Sequence, residues 1–145
     1  MKKSTLTIIT LLVVSGLILS ACGSSGTTTS LKGTSWTLIS YGSTGNQTPV
    51  APGIGTSLIF GTDGQVNGNL GCNSFGENYE VNNGKIVFSQ MISTMMACQE
   101  PQMTQETTSF QVMTGTVNFK LEGNTLTIYD ASGAMAITLS MVPSK

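Results

Sequence analysis

What most limits the fold of this chain is a rhythm. From residue 34 onward, short runs with alternating apolar residues are separated by turns that hold glycine. "TSWTLISY" puts Trp36 and Leu38 on one face at period two, the signature of a half-buried strand. "SLIFG", "QVNGNL", "ENYEV" and "KIVFS" follow, then "TVNFKLE", "TLTIYD" and "AMAITLSMV" as a closing meander. Asp63-Gly64, Asn83-Gly84, Gly123-Asn124 and Ser132-Gly133 mark the turns. Asn83-Gly84 suits a two-residue type I′ hairpin, in which both positions need φ > 0. In "ENYEV" the alternation sets Tyr79 and Val81 against Asn78 and Glu80. The segment "GSTGNQTPVAPGI", residues 42–54, holds two prolines and reads as a loop. One helix is expected in "PQMTQETTSFQVM", opened by Pro101, which the first helical turn tolerates, and ended by Gly115. Met103, Phe110 and Met113 form its expected apolar stripe, with Glu106 on an adjoining face. About eight short strands at regular spacing predict a small antiparallel barrel or a strongly bent sheet.

The N-terminus has a different character. Lys2 and Lys3 precede an uncharged apolar run over residues 8–21. A basic start and a short apolar core make a secretory signal peptide. The run is too short for a spanning helix, which needs about 20 apolar residues. Leu19-Ser20-Ala21-Cys22 resembles the bacterial lipobox, in which the cysteine sulfur is lipidated and the chain is cut just before it. The expectation is therefore a lipoprotein signal peptide over 1–21, a lipidated Cys22, a flexible tether through residue 30 and a folded domain over 31–145. The membrane is then a partner through the lipid on Cys22, with the domain outside the cytoplasm at the cell membrane or the outer membrane.

Composition excludes much chemistry. All six basic residues are lysines, and the chain has no histidine. Without Lys2 and Lys3 the formal balance of six basic and seven acidic residues moves from −1 to −3. Lys32, Lys85, Lys120 and Lys145 are scattered along the sequence, and nucleic-acid binding needs clustered positive charge. The absence of histidine removes the usual general base and the commonest zinc ligand. The absence of arginine removes the bidentate clamp for phosphate. A carboxylate pair from Asp63, Glu77, Glu80 and Glu106 could still do glycosidase-type chemistry. Their spacing shows no such signature, and each is expected on the solvated surface. No enzyme activity and no cofactor are expected.

Four groups of residues, in order, resemble the META domain family and its HslJ-type lipoproteins. They are Leu31, Gly33, Thr34 and Trp36; Gly71, Cys72, Asn73, Phe75 and Tyr79; Thr94, Met96, Ala97 and Cys98; and Met103, Glu106 and Phe110. The resemblance covers about residues 31–143 and implies a mainly β domain with one helix, a small antiparallel β-barrel-like META/HslJ-type fold. It implies association with envelope stress, including heat shock, and no catalytic residues. One departure is Gly76, which comes a residue early, so that Glu77 and Asn78 precede Tyr79.

If Cys22 carries lipid, Cys72 and Cys98 remain, an even pair in an exported domain, where oxidising conditions favour a disulfide. Two buried free thiols packed as small hydrophobes is the second reading, and a reactive or metal-binding thiol the third. Met91, Met95, Met96, Cys98 and Met103 would suit Cu(I) as soft ligands, but methionine is also an ordinary core filler. "DGQVNG", residues 63–68, has the first half of a calcium loop, without the bidentate Glu that should stand at Ser74. Asn73 is expected to brace a turn, and Gly71 to supply a backbone angle other residues avoid. The function expected is a non-enzymatic, monomeric envelope lipoprotein that binds or protects. The alternatives are an inhibitor of a secreted hydrolase, using the 42–54 segment as an inserting loop, and a carrier of a lipid or small apolar ligand held between barrel and helix.

Overall fold

The computed structural model describes residues 30–143. The strands are β1 (Thr34–Ser43), β2 (Asn46–Pro49), β3 (Ser57–Phe60), β4 (Gln65–Asn69), β5 (Ser74–Asn82), β6 (Lys85–Phe88) and β7 (Ile92–Ser93). Helix α1 (Gln102–Val112) follows, then β8 (Thr116–Glu122), β9 (Thr125–Tyr129) and β10 (Met135–Met141). The signal peptide and Cys22 lie outside the described residues.

The sheet closes on itself. Its order runs β10-β9-β8-β6-β5-β4-β3-β1, and β10 pairs back onto β1, giving an antiparallel eight-stranded barrel. The closing register runs from Trp36 opposite Met141 to Ser43 opposite Met135. Closure leaves the barrel strands no free edge along this seam to recruit another chain. The short strands β2 and β7 add to β1 and β5 outside the ring.

The alternating residues turn into the barrel and fill it. Trp36, Leu38, Leu58, Phe60, Val66, Ile86, Leu126, Ile128, Ile137 and Leu139 are all essentially inaccessible to solvent. Each such side chain contributes roughly 1.5–3 kcal/mol by leaving water. In β1 the register slips between Leu38 and Ser40. Ile39 is the extra residue of this bulge, which shifts the inward positions from Trp36 and Leu38 to Tyr41 and leaves Ile39 exposed. The Asn83-Gly84 hairpin has the expected geometry, with φ of 49° and 74°. The opening motif closes a turn at the base of β1. Gly33, at φ 76°, donates its N–H to Phe60 O, and Thr34 Oγ1 accepts from Trp36 Nε1 at 2.8 Å.

Three expectations are corrected here. Residues 42–54 do not form a free loop. Gln47 Oε1, on β2, accepts hydrogen bonds from Ser40 Oγ and Thr138 Oγ1, and Ala51 is buried on α1. The segment around Gly76 is strand, because β5 begins at Ser74 and its inward residues are Phe75, Glu77 and Tyr79, whereas Val81 is exposed. The buried face of α1 is polar: Gln105, Glu106 and Ser109 are inward with Val112 and Met113, while Met103 and Phe110 are half-buried. Glu77 and Glu106 are therefore interior, not surface, carboxyls.

Candidate functional site

The Gly71-Cys72-Asn73 segment connects β4 to β5, directly under α1. Gly71 is glycine because of the helix. A Cβ there would lie 2.6 Å from Gln102 O and 2.8 Å from Glu106 Cβ, distances that no side chain survives without displacing backbone. Gly71 is absent from the residues with positive φ, so close approach and not a special backbone angle selects it.

With the helix so close, Glu106 reaches the turn. Its carboxyl accepts the backbone N–H of Cys72 at 2.8 Å, the backbone N–H of Asn73, and Asn73 Nδ2 at 2.7 Å. Two of these donors are backbone N–H groups that no strand ladder satisfies, and the carboxyl oxygens meet them. Asn73 faces the other way with its oxygen. Oδ1 accepts Thr94 Oγ1–H at 2.8 Å and the Met96 N–H at 2.7 Å, and Nδ2 also donates to Met96 O at 3.3 Å. Two donors and two lone pairs are all that an asparagine amide offers, and all are in use. Gln105, one residue before Glu106, ties two further segments. It accepts the Ala51 N–H at 3.0 Å and donates to Leu70 O at 2.8 Å.

Cys72 and Cys98 are bonded, with Cα atoms 6.0 Å apart and a sequence separation of 26. The free-thiol and metal-thiol readings are thereby set aside, because neither sulfur is a thiolate. The disulfide, Asn73 and Glu106 join three stretches: the β4–β5 turn, residues 94–98 and the helix. Within the clasp Thr94 and Met96 contribute a hydroxyl and backbone groups, and their side chains, like that of Ala97, remain exposed. Met95 is 98 % exposed and Met96 56 %. Among the described residues no group of three histidine, cysteine or acidic side chains could hold a metal. Asp63 Oδ1 caps the Gln65 N–H in its turn.

A second polar feature was not foreseen from the sequence. Glu77, 7 % exposed, has two carboxyl oxygens without any hydrogen-bond partner. Burial raises its pKa from 4.5 to about 8, since a charge in this setting lacks the solvation it has in water. It lines a groove of about 470 Å³ between α1 and the segment after β6, together with Ser89, Met91, Phe110 and Met113. Phe110, in the groove wall, packs edge-on against Phe75, with ring centroids 5.2 Å apart. The available signal was the Phe75-x-Glu77-x-Tyr79 alternation, which puts the carboxyl on the face of two aromatics. Gln105 and Ser109 gave no such signal.

A family model described as the META domain matches residues 29–142. A protein from Burkholderia xenovorans solved by NMR superposes with a TM-score of 0.65 at 21 % identity, over 79 % of this chain and 85 % of that one. A second NMR structure superposes with a TM-score of 0.60 at 23 % identity, over 74 % of this chain and 88 % of the other. At these identities the two neighbours share the fold. A search of curated proteins finds no match.

Proposed function

This chain belongs to the META domain family, and from that membership we propose that its barrel is a non-catalytic binding module of the cell envelope, held to the membrane by lipid on Cys22. The observation that carries the non-catalytic part is the saturation of the clasp. Glu106, Asn73, Cys72 and Cys98 are the residues whose types suggest chemistry, and each is engaged in holding the fold, both Glu106 oxygens by hydrogen bonds. A nucleophile or general acid needs a free lone pair or proton facing a reacting atom. Glu77 has free oxygens, but among the described residues no second ionisable group lines its groove, so acid–base chemistry has no partner for it there. The lipobox at Leu19–Cys22 supports the anchored, exported placement. The reading takes the protein as a monomer without a nucleic-acid partner, acting under envelope stress.

Two measurements test it. Radiolabelled palmitate incorporates into the wild-type protein and not into Cys22→Ala; label on that variant overturns the anchoring. Replacing Asp63, Glu77, Glu80 or Glu106 singly by the amide removes no hydrolytic activity; a loss of about 100-fold in any such activity overturns the non-enzyme reading. The carrier reading has one observation in its favour, since the groove lies between barrel and helix with Met91, Phe110 and Met113 in its wall. The inhibitor reading would use the 42–54 segment, which β2 and Ala51 hold to the barrel and helix while Ser43–Asn46 stay exposed.

A further inference from the structure

Glu77 is the interior group that the fold does not use. Its inward neighbours on β5 are Phe75 and Tyr79, and neither oxygen has a partner. An apolar residue of similar size would avoid the desolvation cost of an unpaired buried polar group. In place of such a residue, the chain sets an acceptor beneath a groove of about 470 Å³, within the range of small-ligand sites, roughly 300–1,000 Å³. Among the described residues Glu77 is the only ionisable one lining it, and likewise the only one lining the smaller hollow of about 350 Å³ that it shares with Gln65, Asn67 and Ile92. Among the described residues no lysine lines either hollow to neutralise it.

We propose that this groove binds a small protonated amine with an apolar body, the ammonium docking on the Glu77 carboxylate and the body lying along Met91, Phe110 and Met113. This rests on reading the domain as a binding module and names the chemistry of its ligand. An ionised carboxyl is a pure acceptor, and its natural complement is a cationic donor, whose hydrogen bonds are stronger than those of a neutral one. The wall suits a cation as well. Phe110 offers a ring, and the thioethers of Met91 and Met113 are polarisable and flexible enough to move aside from the buried oxygens. An anion meets a carboxyl and no donor of opposite charge. Because burial holds Glu77 mostly protonated at pH 7, docking follows a balanced exchange. The neutral acid and the alkylammonium give the carboxylate–ammonium pair, and the carboxyl proton passes to solvent.

The test is a titration of the full chain in detergent micelles, followed by the methyl resonances of its methionines, against a micelle-only blank. Benzylamine is the probe, with benzyl alcohol and benzoate as the neutral and anionic counterparts. Benzylamine is expected to shift the Met91 and Met113 methyls saturably and to release close to one proton per molecule bound at pH 7. Benzyl alcohol should bind at least about tenfold more weakly, benzoate not at all, and Glu77→Gln should weaken the amine by about tenfold while leaving the alcohol unchanged. Equal binding of amine and alcohol, or binding without proton release, overturns the amine assignment but leaves a binding groove. No shift with any of the three overturns the groove as a site of this class, while the anchoring and non-enzyme tests still stand apart. The amine–alcohol comparison needs no variant, so a Glu77→Gln protein that does not fold leaves the test intact.

Discussion

Glu106 Oε1 lies 2.7 Å from Asn73 Nδ2, across 33 residues of sequence, and both side chains are buried. The pair divides the work of the family motifs. Glu106 satisfies the N–H groups of the β4–β5 turn, and Asn73 passes the connection on to Thr94 and Met96. The helix is therefore held to the barrel by polar groups in exact complement of donors and acceptors, beside an apolar anchor at Val112 and Met113.

Glu106→Ala leaves two backbone N–H groups and one amide N–H without their acceptor. Each unsatisfied buried donor costs about 1–3 kcal/mol, so the expected loss is about 3 kcal/mol or more, read as a lower urea midpoint. Glu106→Gln should also destabilise, by about 1–3 kcal/mol, because either amide orientation turns an NH₂ onto at least one N–H. A Glu106→Gln protein as stable as the wild type contradicts the clasp.

Gly71→Ala tests the close approach by itself. The added methyl must push against the Gln102 carbonyl and the Glu106 stem. Overpacking of this kind costs typically about 1–3 kcal/mol, against a gain of about 0.4–1 kcal/mol from a stiffer unfolded chain. The net expectation is destabilisation in thermal unfolding. A neutral or stabilised variant means that the helix yields at no cost.

The barrel was legible because its signals are local. Alternation and turn pairs such as Asn83-Gly84 need only neighbouring residues to be read. The clasp was legible in part, since Gly71, Cys72, Asn73, Cys98 and Glu106 stand out in motifs. Their reason did not: Gly71 serves a contact with residue 102, and Glu106 a turn 33 residues away. The helix misled for the same reason. Periodicity assumes an apolar buried face, whereas Gln105, Glu106 and Ser109 are buried by the partners they bond. Glu77 is hidden from a sequence reading that starts β5 at residue 77, because Phe75 then falls outside the alternation.

Breaking the disulfide separates covalent from hydrogen-bonded restraint. For a closed loop of this size the chain-entropy estimate is about 3 kcal/mol, and the Cα separation of 6.0 Å meets the limit of about 7 Å for a bridge. Cys72→Ser with Cys98→Ser, or reduction by thiol in mild denaturant, should lower the unfolding free energy by roughly 2–4 kcal/mol. The loss should exceed that of either Thr94→Ala or Met96→Ala, whose side chains are exposed. Free-thiol titration of non-reduced, denatured protein should find neither Cys72 nor Cys98 reactive.

Glu77 sets a pH dependence with a definite sign. Its folded pKa is raised by burial to about 8 from 4.5, so the folded state holds its proton where the unfolded chain has released it. Stability then falls as pH rises through the window between those two values, with a slope of at most about 1.4 kcal/mol per pH unit. It levels off above the folded value, where both states are ionised. Among the described residues no other ionisable side chain lines the groove, and the inward titratable neighbour on β5, Tyr79, donates to Gly61 O and has its pKa raised above 10.0 by burial and then by Asp63, outside the window. Glu77→Gln cannot ionise. Its melting temperature should therefore stay nearly level between pH 5 and pH 8 while that of the wild type falls, the two curves converging toward the acid end. Benzylamine at saturation should flatten the wild-type curve as well, because the ammonium supplies the charge that the buried carboxylate lacks. A wild-type curve with no slope that Glu77→Gln removes means that water or a rearranged neighbour already solvates Glu77, and that the carboxyl is not the unpaired acceptor its position indicates.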